Sequence, residues 1–144
     1  MKNNKVGIVI TTFNRNELLA KAVESITTNL RPEDYELIIV DQNASTDKAK
    51  LYAEKFNYYS VGFNSGLSYG RNFGVEQAKE LGCEYVLIAS DSFLCNNTLR
   101  ELNYCKELME RESLDCLGFE LNNCPCGWEA FFIFRCYRIH IRLY

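Results

Sequence analysis

The sequence predicts an α/β fold, a mostly parallel sheet covered by helices, built from one domain. Three observations predict it. Short runs rich in Val, Ile and Tyr alternate with segments of helical periodicity. One of them, Tyr85 to Ser90, is apolar except for its serine, as a strand buried on both faces is. Polar clusters follow directly on the strand ends, where open α/β sheets bind their ligands.

The first strand is Val6 to Thr11, V-G-I-V-I-T. Asn14 or Asn16 can cap the next helix, since both are good N-cap residues. Its apolar stripe is Leu19, Ala22, Val23 and Ile26, at i, i+3, i+4 and i+7. Tyr35 to Val40 is the second strand and ends at Asp41. Ser45-Thr46-Asp47 opens a helix that carries Ala49, Tyr52, Ala53 and Phe56 on one face. Tyr58 to Val61 reads as a short third strand. After the turn signal Asn64-Ser65-Gly66, a helix spans about Leu67 to Leu81. Gly70, Gly74 and Ala78 on its inward side let the backbone lie close to the sheet.

Tyr85 to Ser90 is the most apolar strand and runs into Ser90-Asp91-Ser92. Thr98 and Glu101 have capping-box spacing, ahead of a stripe of Leu99, Leu102, Cys105, Leu108 and Met109. Leu114 to Leu121 is a fifth strand. Repeated strand-helix units argue a parallel sheet with right-handed crossovers. Asn122 to Gly127 breaks the pattern. From Arg138 to Leu143 basic and apolar residues alternate, which fits an edge strand or a strip for a membrane surface or partner.

The composition narrows the function. At 144 residues, 47% of them hydrophobic, the chain closes a single core. A net charge of -3 provides no basic field, which argues against a nucleic-acid binder. No apolar run reaches the ~18 residues of a membrane span, and the first is too short for a signal-peptide core. An intracellular, cytoplasmic address follows. There the 7 cysteines are expected as reduced thiols. Cys124-Pro-Cys126 lacks the two-residue spacer of a zinc ligand pair.

Parallel strands bring the clusters Thr11–Arg15, Asp41–Asp47, Asn64–Arg71 and Ser90–Ser92 to one sheet edge, beside helix N-termini that favour anions. A phosphate-bearing ligand fits there. Arg71 and Arg15 can add charge-assisted contacts, and Asp41 can accept from a nucleobase N–H or a ribose hydroxyl. Structural readings stand beside these. Asp41, Asp47 and Asp91 can be helix caps, and Arg71 an ordinary solvated side chain.

The segments V-G-I-V-I-T-T-F-N-R, L-I-I-V-D-Q-N-A-S-T-D, N-S-G-L-S-Y-G-R-N-F-G and Y-V-L-I-A-S-D-S, in that order, resemble the motifs of the family-2 glycosyltransferases of the GT-A fold. The resemblance covers about residues 5 to 121. It implies a three-layer α/β/α Rossmann-like GT-A sheet, mostly parallel. Residues 1–121 would bind the nucleotide sugar. Residues 122–144 would be a C-terminal extension of the same domain, either the start of an acceptor half or an atypical, aromatic-rich strand region.

By the same resemblance Thr12, Phe13, Asn14, Asp41, Asn64, Arg71 and Asp91 bind a nucleotide-sugar donor, most often UDP-linked. Asp91 also meets a divalent metal, Mg2+ or Mn2+. The reaction implied is inverting transfer to an acceptor hydroxyl, placed in the cytoplasm and at most at the inner membrane face. Three departures stand out. The loop after Asp41 is one residue longer than usual, and the D-x-D position keeps one carboxylate, Ser90-Asp91-Ser92. No Glu-Asp pair follows, so Glu120 and Glu129 are the only candidate bases, and neither matches a motif. A non-catalytic or truncated nucleotide-binding module is therefore the alternative, with residues 128–144 available for self-association or a partner.

Overall fold

The computed structural model describes residues 3–91, 99–120 and 130–135. In chain order the elements are β1 (Asn3–Thr12), α1 (Asn16–Asn29), β2 (Tyr35–Asp41), α2 (Thr46–Tyr52) and β3 (Asn57–Ser60). They continue with α3 (Leu67–Glu80), β4 (Cys83–Ser90), α4 (Leu99–Arg111), β5 (Cys116–Glu120) and β6 (Ala130–Arg135). The strands form one sheet in the order β3-β2-β1-β4-β6-β5. β3, β2, β1 and β4 pair in parallel, and β6 runs antiparallel to both of its neighbours.

Alternate residues of the central strands face different helix layers. Ile8, Ile10, Leu37, Ile39, Tyr85 and Leu87 pack with Leu19, Ala22 and Ile26 of α1, Tyr52 of α2, and Leu102 and Met109 of α4. Val9, Ile38, Val40 and Val86 pack with Val75 and Ala78 of α3. Val6, Ile8, Val9 and Ile10 of β1 are all at most 1% exposed. At ~1.5–3 kcal/mol each, their burial contributes about as much as a domain's whole net stability. β1 is therefore the centre of the core, which explains its unbroken apolar run.

The direction of winding reverses across the sheet at β1. β1-β2-β3 winds one way with its helices on one face; α3 then returns over the other face to β4. A single crossover hand requires that change of face. The small residues of α3 make the return tight. A Cβ on Gly70 would lie 2.4 Å from Thr11 Cγ2, and one on Gly74 would lie 2.3 Å from Val9 Cγ1.

Several sequence expectations are corrected in detail. Neither Asn14 nor Asn16 caps α1. The N-cap is Arg15, without a side-chain cap bond, because Asn14 takes a left-handed φ of 55° and its Oδ1 accepts from Asn43 Nδ2 at 2.6 Å. α2 is capped by Ser45, whose Oγ accepts from Lys48 N. It stops at Tyr52, so Ala53 is exposed and Phe56 only half-buried. β3 begins at Asn57, whose side chain is tied to Glu36 and the Leu37 carbonyl. β5 does not extend the parallel run beside β4, since β6 occupies that place. The Thr98–Glu101 capping box, the Cys124–Cys126 pair, Glu129 and the Arg138–Leu143 alternation lie outside the described residues. Among those described, Cys83 and Cys116 are free thiols, and no helix is long and apolar enough to cross a membrane.

Candidate functional site

The strand register builds a polar row at the carboxyl edge. Thr12 of β1 is the register partner of Asp41 of β2, and Thr11 that of Ser90 of β4, so Asp91 falls next to Thr12. By strand alternation all three continue the set of residues that faces α1, α2 and α4. With strands ~4.8 Å apart, the two aspartates stand about 10 Å apart, too far to share one metal ion.

Asp91 is 3% exposed. Its Oδ2 accepts from Thr12 Oγ1 at 3.2 Å and its Oδ1 from Arg15 Nη1 at 3.0 Å. The Thr12–Asp91 bond joins β1 to β4, the junction where the direction of winding changes and where ligands of open α/β sheets bind.

Asp41 is fully buried at 0% exposure. It is not the cap of α2. Oδ1 accepts from Asn43 N at 2.8 Å and holds the turn after β2. Oδ2 accepts from Tyr58 Oη at 2.8 Å and pairs with Lys48 Nζ at 2.7 Å. Burial, followed by the bond to Asp41, pushes the Tyr58 hydroxyl pKa far above its ordinary value. Asp47 lies in the first turn of α2.

Gln42, in the lengthened loop after Asp41, is a structural tie. Its N–H donates to Thr12 O, its carbonyl accepts from Asn64 N, and its Oε1 accepts from Gly66 N at 2.8 Å. It thus fixes the loop that leads into α3, where Asn64 (φ 49°) and Gly66 (φ 100°) are both left-handed. Phe13 meets Phe63 edge-to-face at 5.2 Å on the rim, and Phe63 stays 71% exposed.

Arg71 reaches the edge from α3, the layer opposite to the two aspartates. It is half-buried; its Nε has no hydrogen-bond partner, and burial lowers its pKa. Thr11 Oγ1, against Gly70 of α3, and Asn72 Oδ1 are buried without a hydrogen-bond partner too. Thr12, Asp41 and Asp91 are therefore brought together, with Phe13, Asn14 and Asn64 on the surrounding loops. Arg71 approaches from the far layer and shares no described bond with either aspartate.

Sequence reasoning missed Lys48, Tyr58, Gln42 and Phe63. Only Gln42 carried a signal, through the extra length of its loop. Glu120 ends β5, opposite Ala130 in the register and two strands beyond β4, about 10 Å further along the sheet. No group of three His, Cys, Asp or Glu side chains able to hold a metal occurs among the described residues.

A sheet of this order with a polar row at the β1–β4 junction has the architecture of the GT-A glycosyltransferases. Staphylococcus aureus TarS, residues 1–349 in complex with UDP-GlcNAc, superimposes with a TM-score of 0.66 over 85% of this chain and 36% of that one, at 18% identity. The mannosyltransferase PcManGT from Pyrobaculum calidifontis, in complex with GDP-Man and Mn2+, gives 0.52 over 65% of this chain and 29% of that one, also at 18% identity. At such identities the likeness concerns the fold.

The chain belongs to glycosyl transferase family 2, whose model matches residues 7–117. It is 33% identical over 112 residues to the poly(ribitol-phosphate) beta-N-acetylglucosaminyltransferase TarP of Staphylococcus aureus (strain N315), covering 72% of this chain and 33% of TarP. A teichoic acid poly(glycerol phosphate) polymerase of Staphylococcus epidermidis is 29% identical over 83 residues, 53% of this chain and 11% of that protein. The chain thus spans about a third of TarP's length.

Proposed function

We propose that this chain is the donor-binding part of a glycosyltransferase that accepts a UDP-sugar with a divalent metal and supports inverting transfer to an acceptor hydroxyl. The observation that carries the reading is the Thr12–Asp91 bond at the β1–β4 junction, with Asp41 buried one strand away. The diphosphate would lie toward the α3 N-terminus and Arg71, whose buried Nε lacks a partner. The base would sit over the Phe13–Phe63 rim, near the Asn14–Asn43 pair. TarS structures contain UDP-GlcNAc and UDP, and TarP is named for N-acetylglucosamine transfer to poly(ribitol-phosphate). N-acetylglucosamine and a polyol-phosphate hydroxyl are accordingly our first choices of sugar and acceptor.

Asp91 fits a divalent ion sparsely. Among the described residues each of its oxygens accepts one hydrogen bond, and Mg2+ often needs only one protein carboxylate besides phosphates and water. Bound there, the ion would offset the charge of the diphosphate leaving group. A catalytic carboxylate must stand within hydrogen-bond reach of the acceptor hydroxyl. Asp41 and Asp91 are both engaged with cations of the chain, and Glu120 and Glu129 are the candidates for that role.

A second reading, nucleotide binding without catalysis by this chain alone, is favoured by its covering only 33% of TarP. Calorimetric titration of UDP and UDP-GlcNAc, with and without Mn2+, tests donor binding. Saturable binding that Asp91→Ala weakens is the expected result; no binding of any nucleotide would overturn the proposal. Donor hydrolysis and transfer assays then separate enzyme from binding module, and loss of turnover in Glu120→Gln with UDP binding intact would identify the base.

A further inference from the structure

We infer that Arg15 is a resident counter-cation of Asp91 that a divalent ion has to displace, so that metal enters together with the nucleotide and not ahead of it. The inference deepens the proposed function and rests on Asp91 as the metal-facing carboxylate. A carboxylate only 5% exposed needs compensation when no ligand is present, and among the described residues two groups provide it. One is the Thr12 hydroxyl, fixed in β1 and 3% exposed. The other is the Arg15 guanidinium at 3.0 Å, on a side chain 54% exposed.

These partners differ in what they can do. Thr12 is held at the end of β1 by its pairing with Asp41 of β2, and its carbonyl accepts from Gln42 N. Arg15 stands at the N-cap of α1 without a side-chain capping bond, on a long stem open to solvent. It can leave Asp91 by rotation alone, without unfolding any element. It is also the cation that sits where a dication would meet the carboxylate.

Among the described residues no second carboxylate stands beside Asp91 to outcompete it. Asp41 is about 10 Å away across two strand spacings, and it is neutralised by Lys48 at 2.7 Å. A dication arriving alone therefore finds one carboxylate, already charge-balanced, and must approach a guanidinium to reach it. A dication bound to a diphosphate brings its own anionic ligands, and the phosphates give the displaced guanidinium a new partner with matching planar geometry. Metal and nucleotide are thereby coupled, and by linkage each raises the other's affinity by the same factor.

The test is Mn2+ binding, read from the electron paramagnetic resonance signal of free Mn2+, for wild type and Arg15→Gln with and without UDP. The wild type is expected to bind Mn2+ weakly alone and at least tenfold more tightly with UDP. Arg15→Gln is expected to bind Mn2+ alone at least tenfold more tightly than wild type, and adding Asp91→Asn should abolish that gain. Arg15→Lys, which keeps a cation at the same place, should stay within about threefold of wild type and serves if the glutamine variant is poorly folded. An Arg15→Gln protein that binds Mn2+ no more tightly than wild type, or an Arg15→Lys protein that matches the full tenfold gain, would overturn the inference. UDP binding that persists in either case would leave the proposed function standing. Absence of UDP binding in every protein would remove the proposed function, while the Mn2+ comparison still decides the role of Arg15.

Discussion

Replacing Asp41 by asparagine keeps the shape of the side chain and removes its charge. Asp41 is 0% exposed, with Lys48 Nζ at 2.7 Å and Tyr58 Oη at 2.8 Å on one carboxylate oxygen. In Asp41→Asn the amide oxygen can still accept from Asn43 N. The amide nitrogen then faces a hydroxyl and an ammonium, both donors. Breaking a buried ion pair costs about 3–5 kcal/mol. Lys48 is 14% exposed, so its ammonium can turn to water on its flexible stem, which favours the lower end. A loss of about 3 kcal/mol lowers Tm by roughly 6–12 °C for a domain of this size. Thermal unfolding followed by circular dichroism, backed by urea titration, measures it. Lys48→Met leaves the carboxylate buried without its counter-ion and should cost at least as much. The double variant should recover about 1–3 kcal/mol of coupling. A Tm for Asp41→Asn within about 2 °C of wild type would refute the claim that Asp41 holds the β2–α2 corner by charge.

Two further predictions concern the other layer and the sheet's far end. Gly74→Ala gains about 1 kcal/mol of helix propensity but places a methyl 2.3 Å from Val9 Cγ1, in a core where overpacking costs ~1–3 kcal/mol. A lower urea midpoint is expected, and an unchanged or higher one would mean that α3 does not lie so close to β1. Burial, with Glu36 adding and Lys5 opposing, pushes the Cys83 thiol from 9.0 up to about 11. The folded state thus holds that proton more tightly than the unfolded chain. The resulting stability is complete below pH 9 and is lost as pH rises towards about 11; Cys83→Ala should flatten this part of the stability–pH curve. At pH 8, Ellman's reagent should label exposed Cys116 while Cys83 stays unreacted until the protein unfolds.

The parallel core was legible because β1, β2 and β4 are buried on both faces and so read as unbroken apolar runs. The glycines of α3 were legible for a related reason, since only close contact explains two of them on the inward side of one helix. The ligand edge followed from chain direction alone, as parallel strands must end together. Side-chain pairings were another matter. Asp41 finds Lys48 and Tyr58 only after α2 has folded back over β2, and nothing in the local spacing marks either partner. Asn14 looked like a cap because asparagine is a good one, but tertiary contact with Asn43 took its side chain elsewhere. The place of β6 was hidden for a topological reason. Sequence order puts β5 after β4, whereas the sheet inserts the later strand between them.

That insertion has a consequence for how the domain is completed. Until residues 130–135 have been made and have docked, β4 has no strand partner on its outer side and β5 none at all among the described residues. A fragment ending near residue 121 would expose the backbone edge of the apolar strand Tyr85–Ser90, an inviting template for pairing with a second chain. The short antiparallel strand therefore acts as a closing piece for the parallel core, and any excised donor-binding unit should include it.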